Sequence, residues 1–424
     1  MTRHQNSQDS PCASPVRSVA TGLSLVELLV ALALASLVLL AVVQLFTASH
    51  ATYRINEAQT RVQETGRYAS QVLARAMRMA RSSGCSSVAM DEYWKRLTVV
   101  ANVLLDDTGK SVIGAKRALG YSAAQAKATS DPSPWLEDLS SAVQTAVKAR
   151  RIRGDVLVYW GIVGDGTYVA RTASPSLIQS IKLAAANDQL AKGGLALITD
   201  CSATDIFSIT AVGDKKLEHG TSGNSTDALS YAYNWTGEPT GGAPLMRARV
   251  FPFDLRVFFI GCVNQETGLT VTTADTARFT SCQAGTSASV RPTLAYWSVS
   301  TGDVTSVLMD IADLHVTYDG SLDLGKTASQ RVRQRLTDKA GETPVDATWV
   351  TDNHYWEQVD SIRIELLAAS TQEVSNHDRK YTDIYRDTTG LDSDDVTGDR
   401  RLYQALPVTI AIRATSDWFV RYDK

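Results

Sequence analysis

A run of 24 residues from Leu23 to Phe46 reads LSLVELLVALALASLVLLAVVQLF, with Glu27 its only charged residue and Gln44 its only other strongly polar one. At a rise of about 1.5 Å per residue it makes a helix of roughly 36 Å, enough to cross a hydrocarbon core of about 30 Å. The 22 residues ahead of it carry Arg3 and Arg17 against Asp9. The positive-inside tendency therefore keeps that tail in the cytoplasm and sends the chain after Phe46 outward. A cleaved secretory signal with Ser49-His50-Ala51 as its small-residue site is one competing reading, but secretory apolar regions run only about 7 to 15 residues. A plain signal anchor is the other. Glu27 argues against it, because an ionisable group inside an apolar run is costly in lipid and calls for a partner.

The next residues resemble a known processing signal. Gly22-Leu23-Ser24-Leu25-Val26-Glu27-Leu28-Leu29 is similar to the type IV prepilin cleavage motif, Gly-hydrophobic-Ser/Thr-Leu-hydrophobic-Glu. The resemblance implies that residues 1–22 are a leader cut by a prepilin peptidase after Gly22. It also implies that Leu23 becomes a methylated amino terminus and that the apolar stretch stays attached. Glu27 would then pair with the terminal ammonium of a neighbouring subunit, which makes a carboxylate tolerable at low dielectric.

From Thr47 to about Arg81 the chain is rich in Ala, Arg, Gln and Met, and no proline occurs between Pro15 and Pro132, so the helix is expected to continue to about Ser82. Ile55, Ala58, Val62, Ala69, Val72, Leu73, Ala76 and Ala80 recur at three- and four-residue spacing, an apolar stripe that needs a globular head to cover it. Gly66 is a potential flexible point and Gly84 a stop signal. The reading divides the chain into leader 1–22, membrane helix 23–46, amphipathic continuation 47–82 and exported head 83–424. Within the head, alternating runs at 155–160, 196–199, 206–209, 255–259, 362–366 and 408–413 read as strands. The fold class is α+β, a pilin-like long helix packed on a mainly antiparallel sheet. Residues 100–150, 213–244, 320–355 and 371–402 read as insertions or loops.

The head carries further phrases, Gly154-Asp155-Val156-Leu157, Asp200-Cys201-Ser202-Ala203-Thr204-Asp205-Ile206-Phe207, Leu308-Met309-Asp310-Ile311-Ala312-Asp313-Leu314-His315-Val316 and Val359-Asp360-Ser361-Ile362-Arg363-Ile364. They resemble segments of the PilW family of minor pilins. That resemblance implies a structural subunit on the inner membrane and then on the pilus, acting in fibre priming or at the tip. Its implied partners are other minor pilins, the major pilin, the prepilin peptidase, the inner-membrane assembly platform and a tip adhesin. A type II secretion pseudopilin shares the same anchor, and a membrane-tethered binding or adhesion domain that uses an acidic loop with Ca²⁺ is the reading from another class.

Five cysteines are present, Cys12 before the apolar run and Cys85, Cys201, Cys262 and Cys282 after it. Four in an oxidising compartment allow three pairings. Cys262 with Cys282 makes a local staple, leaving Cys85 to tie the helix end to Cys201; four reduced, buried thiols are the alternative. The net charge of −3 on 424 residues, without a block of basic residues, gives no electrostatic footprint for nucleic acid. Asp392, Asp394 and Asp395 offer hard oxygen ligands to Ca²⁺, but Val396 stands where an EF-hand loop needs its next ligand, so a solvated acidic loop is favoured. The six histidines are scattered, and no catalytic, cofactor-binding or phosphate-binding motif occurs. The expectation is a non-enzymatic protein without a cofactor.

Overall fold

The computed structural model describes residues 24–80, 97–106, 108–113, 119–121, 139–171, 178–231, 233–236, 246–283, 289–323, 333–336, 344–353, 355–356, 359–374 and 400–411. The chain divides into two units, Met1–Arg54 and Ile55–Lys424. Helix α1 (Leu25–Met79) contributes to both and runs 55 residues without a proline. Its last turn tightens, with Ala80 N–H donating to Met77 O at 3.1 Å. Gly84, the expected stop, lies outside the described residues.

In chain order the strands are β1 (Leu97–Val99), β2 (Leu119–Tyr121), β3 (Arg153–Ile162), β4 (Thr167–Tyr168), β5 (Ser180–Lys182), β6 (Leu195–Thr199), β7 (Thr204–Ser208), β8 (Ala211–Gly213), β9 (Lys216–Glu218), β10 (Arg249–Asn264), β11 (Thr270–Val271), β12 (Val290–Ser298), β13 (Asp303–Met309), β14 (Ile311–Asp323), β15 (Arg333–Arg335), β16 (Val359–Glu373) and β17 (Arg401–Ala411). Helices α2 (Ser141–Lys148), α3 (Thr276–Gln283) and α4 (Ala347–Asp352) lie among them. The class is α+β, with ten-, four- and three-stranded sheets. Among the described residues every strand pair is antiparallel except β1 with β7.

Strand β10 is the hub of the ten-stranded sheet. One of its edges takes β4 and then β3, and the other takes β6 and then β12. Its β-branched and aromatic residues favour the extended chain. Pro252 is tolerated inside it because it falls where the partner changes from β4, paired up to Val250, to β3, paired from Phe253. The four-stranded sheet has the order β15-β14-β16-β17 and the small one β5-β9-β8.

Period-two alternation sorts the side chains into two large cores. On β6, Leu195 and Leu197 join the main core while Ala196 and Ile198 face the second, which Ile181 of β5 and Leu217 of β9 close from the other side. The main core brings Ile362, Ile364, Leu366 and Ala368 of β16 together with Val62, Ala69, Leu73 and Met77 of α1 and Phe258 of β10. That covers the apolar stripe from Ala58 onward, while Ile55, counted in the stripe, is 40% exposed.

Gly66 acts here as a contact point within a continuous helix. It is buried, and a Cβ there would overlap Leu406 Cδ1 of β17 and stand 3.5 Å from Ala368 Cβ of β16. The missing side chain lets the helix approach the sheet.

The stretches read as loops hold structure of their own. α2 lies in the first, β9 in the second, β15 and α4 in the third, and the ends of β16 and β17 flank the fourth. α2 buries Val143, Ala146 and Val147, and α4 is capped by Asp346, whose side chain accepts from Trp349 N.

Candidate membrane anchor and head junction

Helix α1 begins with a local hydrogen-bond device. Ser24 Oγ accepts from Val26 N–H at 3.3 Å, and Glu27 Oε2 accepts from Ser24 N–H at 3.1 Å. Ser24 thus N-caps α1 through Val26, and Glu27 reaches back to the Ser24 N–H as the third residue of a capping box does. The signal was present in the sequence as Ser-x-x-Glu ahead of an apolar run, and the reading of Glu27 as an assembly residue passed over it. A carboxylate at this end of the helix is also favoured by the macrodipole.

Beyond the cap, the apolar side chains have no cover. Leu29, Leu32, Leu37, Leu40, Leu45 and Phe46 are each more than half exposed. The helix contains an 18-residue window with mean hydropathy 2.8, none of it buried. It is long and apolar enough to span a membrane. Burying a fully exposed leucine-sized side chain is worth about 1.5–3 kcal/mol, so this surface is strongly driven out of water. Gly22 and Leu23 lie outside the described residues, as do Cys85 and the acidic residues Asp392, Asp394 and Asp395.

Cys262 at the end of β10 and Cys282 in α3 are joined by a disulfide that spans 20 residues, and both are buried. A loop of that length contributes about 3 kcal/mol through the unfolded chain. Cys201 is also disulfide-bonded and has φ 69°.

Sequence reading named four phrases in the head without assigning their polar residues a role, and two of these phrases meet. Asp155 of β3 is buried, and its Oδ2 accepts from Val316 N–H of β14 at 2.7 Å and pairs with His315 Nδ1 at 3.0 Å. One carboxylate thus links the ten-stranded sheet to the four-stranded one. Gly154, at φ 74°, makes the approach possible, since a Cβ there would overlap Asp313 Oδ1 and stand 2.8 Å from Leu314 O. Burial alone would lower the His315 pKa, but the hydrogen bond and charge of Asp155, with Asp313 and Glu365, raise it above the ordinary value. Burial brings the Arg151 guanidinium down to about 10 against the opposing pull of Asp155 and Asp313.

A second polar junction sits where the chain passes from β13 to β14. Asp310, at φ 67°, pairs with the buried Arg291 at 3.1 Å and accepts from Thr371 Oγ1 at 3.0 Å. Burial raises the Asp310 pKa, and Arg291 draws it back. Both junctions read as structural: each pairs buried charge where one sheet meets the next, the second through an Arg291–Asp310 ion pair in which Asp310 Oδ1 makes no hydrogen bond. Among the described residues no three His, Cys, Asp or Glu side chains converge as a metal-binding set. Comparison with family models, curated proteins and solved structures gave no match.

Proposed function

We propose that this chain is a minor pilin of the PilW type, a non-enzymatic subunit of a type IV pilus. It enters the bacterial inner membrane through α1 with its head on the periplasmic side, is cut after Gly22, and is incorporated at low copy in a priming or tip complex. The observation that carries the reading is one helix, apolar and uncovered over the length of a membrane, with a lone carboxylate at Glu27 just after the Gly22-Leu23 junction. A plain anchor needs Glu27 only to cap its own first turn, which an uncharged Gln would do as well. An assembling subunit uses its charge, because the neighbour's terminal ammonium neutralises it in lipid.

Placement at a fibre end is a steric argument. The unit that begins at Ile55 and runs to Lys424 is bulky for a subunit repeated along a shaft. Quantitative immunoblotting of sheared, purified fibres tests the whole reading. The expected result is a band that co-purifies with fibres at a small fraction of the main subunit. Absence from fibres, or abundance equal to the main subunit, contradicts it.

A further inference from the structure

Arg247 and Arg249 share one aromatic ring. The Arg247 guanidinium carbon lies 5.0 Å from the Tyr168 centroid and that of Arg249 lies 5.1 Å from it, so the two distances add to 10.1 Å, the most the two cations can be apart. Arg249 also lies 4.7 Å from the Phe251 ring. The register explains the cluster: Arg249 of β10 pairs directly with Tyr168 of β4, and Phe251 is two residues along on the same face. Tyr168 remains 45% exposed, so the cluster is open to solvent.

Two like charges at this spacing are within about a Debye length and repel. Surface guanidinium groups so placed ordinarily find an acid. Among the described residues, neither of these has a carboxylate within 4.0 Å. The Arg247 Nε and Nη2 groups both donate to Val169 O, which leaves Nη1. Arg249 Nη2 donates to Gly166 O at 3.3 Å, which leaves Nη1 and Nε, and Nε is buried without an acceptor. Stacking on Tyr168 and Phe251 accounts for where the guanidinium planes sit. It does not account for the Nη1 groups of Arg247 and Arg249, which have no acceptor among the described residues and, unlike the buried Arg249 Nε, are within reach of a ligand.

The geometry points to an oxyanion site: Arg247 and Arg249 hold a carboxylate or phosphate group from outside the chain, with Tyr168 and Phe251 fixing both cations in place. A planar fork of donors matches either group, and the bond would be charge-assisted. This inference stands independently of the pilin reading.

Isothermal titration of the full-length chain in detergent, at low ionic strength, tests it with inorganic phosphate in one arm and glutarate in the other. Saturable binding of one equivalent is expected in at least one arm, and the tighter arm identifies the preferred group. Arg249→Gln and Arg247→Gln should each weaken it about tenfold. Arg249→Lys, which keeps the charge and loses the fork, should weaken it as well. Absence of saturable binding of either anion to the parent chain overturns the proposal. So does an isotherm unchanged in the Arg247→Gln, Arg249→Gln double variant that still melts like the parent.

Discussion

Replacing Asp155 by Ala is expected to destabilise the head by about 3–5 kcal/mol, the range for breaking a buried charge pair from one side. The loss has identifiable parts. Val316 N–H loses its acceptor, His315 loses its partner, and the half-buried Arg151 loses one of its two nearby carboxylates. The Val316 N–H has no water to turn to, since Val316 is 1% and Asp155 3% exposed, whereas His315 and Arg151 are only half-buried. Thermal unfolding of the full-length chain in detergent should show the variant melting several degrees below the parent. Melting together with the parent would contradict the junction's role.

The same junction predicts a pH dependence. The folded pKa of His315 is raised. Its ion-pair contribution is therefore fully present below the unfolded histidine pKa of about 6.5 and is lost as pH rises through the higher folded value. His219 works in the other direction. It is buried against Phe207, desolvation lowers its pKa, and its contribution is lost as pH falls through that lowered value. Comparing the parent with His315→Gln at each pH cancels the His219 part. The parent's margin over the variant should be largest near about pH 6 and shrink toward about pH 9. A margin that does not change with pH would contradict the charged pair.

The second large effect is expected at Glu27, where two roles must be separated. Gln serves at the third position of a capping box as Glu does, whereas Ala does not. Glu27→Gln therefore keeps the helix cap and removes the charge, and Glu27→Ala removes both. If the carboxylate serves only its own helix through Ser24, the Gln variant enters fibres as the parent does. The assembly account predicts that both variants fail. Each leaves a neighbour's ammonium unpaired in lipid, a cost of about 3 kcal/mol or more and roughly a hundredfold in incorporation. Fibre-associated protein, measured against the membrane pool for each variant, distinguishes the two.

The elements that could be read from sequence were those with a strong local period. The apolar run of α1 and the alternation in β3, β6, β7, β10, β16 and β17 come from contiguous residues, and the observed strands overlap those runs. Strands β12 and β13 were missed because neither shows a clean alternation of apolar and polar residues. The β12 sequence VRPTLAYWS puts Arg291, Thr293 and Ser298 into buried positions, and the β13 sequence DVTSVLM buries no residue, so its Asp, Thr and Ser give no apolar face to read. Cys262 and Cys282 were legible as a pair because they lie close in the chain. The Asp155–His315 contact joins residues separated by 160 positions, and no local pattern announces it. The Arg247, Arg249 and Tyr168 cluster depends on the register of β4 against β10, which the sequence does not specify. Gly66 shows the same limit: a glycine in a helix signals freedom by itself and close packing only when its neighbour across the interface is known.

The central claim is that α1 stays on the mature chain after a cut between Gly22 and Leu23. Mass spectrometry of the amino terminus, on protein from membranes and from sheared fibres, tests it most directly. The account predicts a chain that begins with N-methyl-Leu23. An amino terminus at Thr52, or a leader still present on fibre-associated protein, would contradict it.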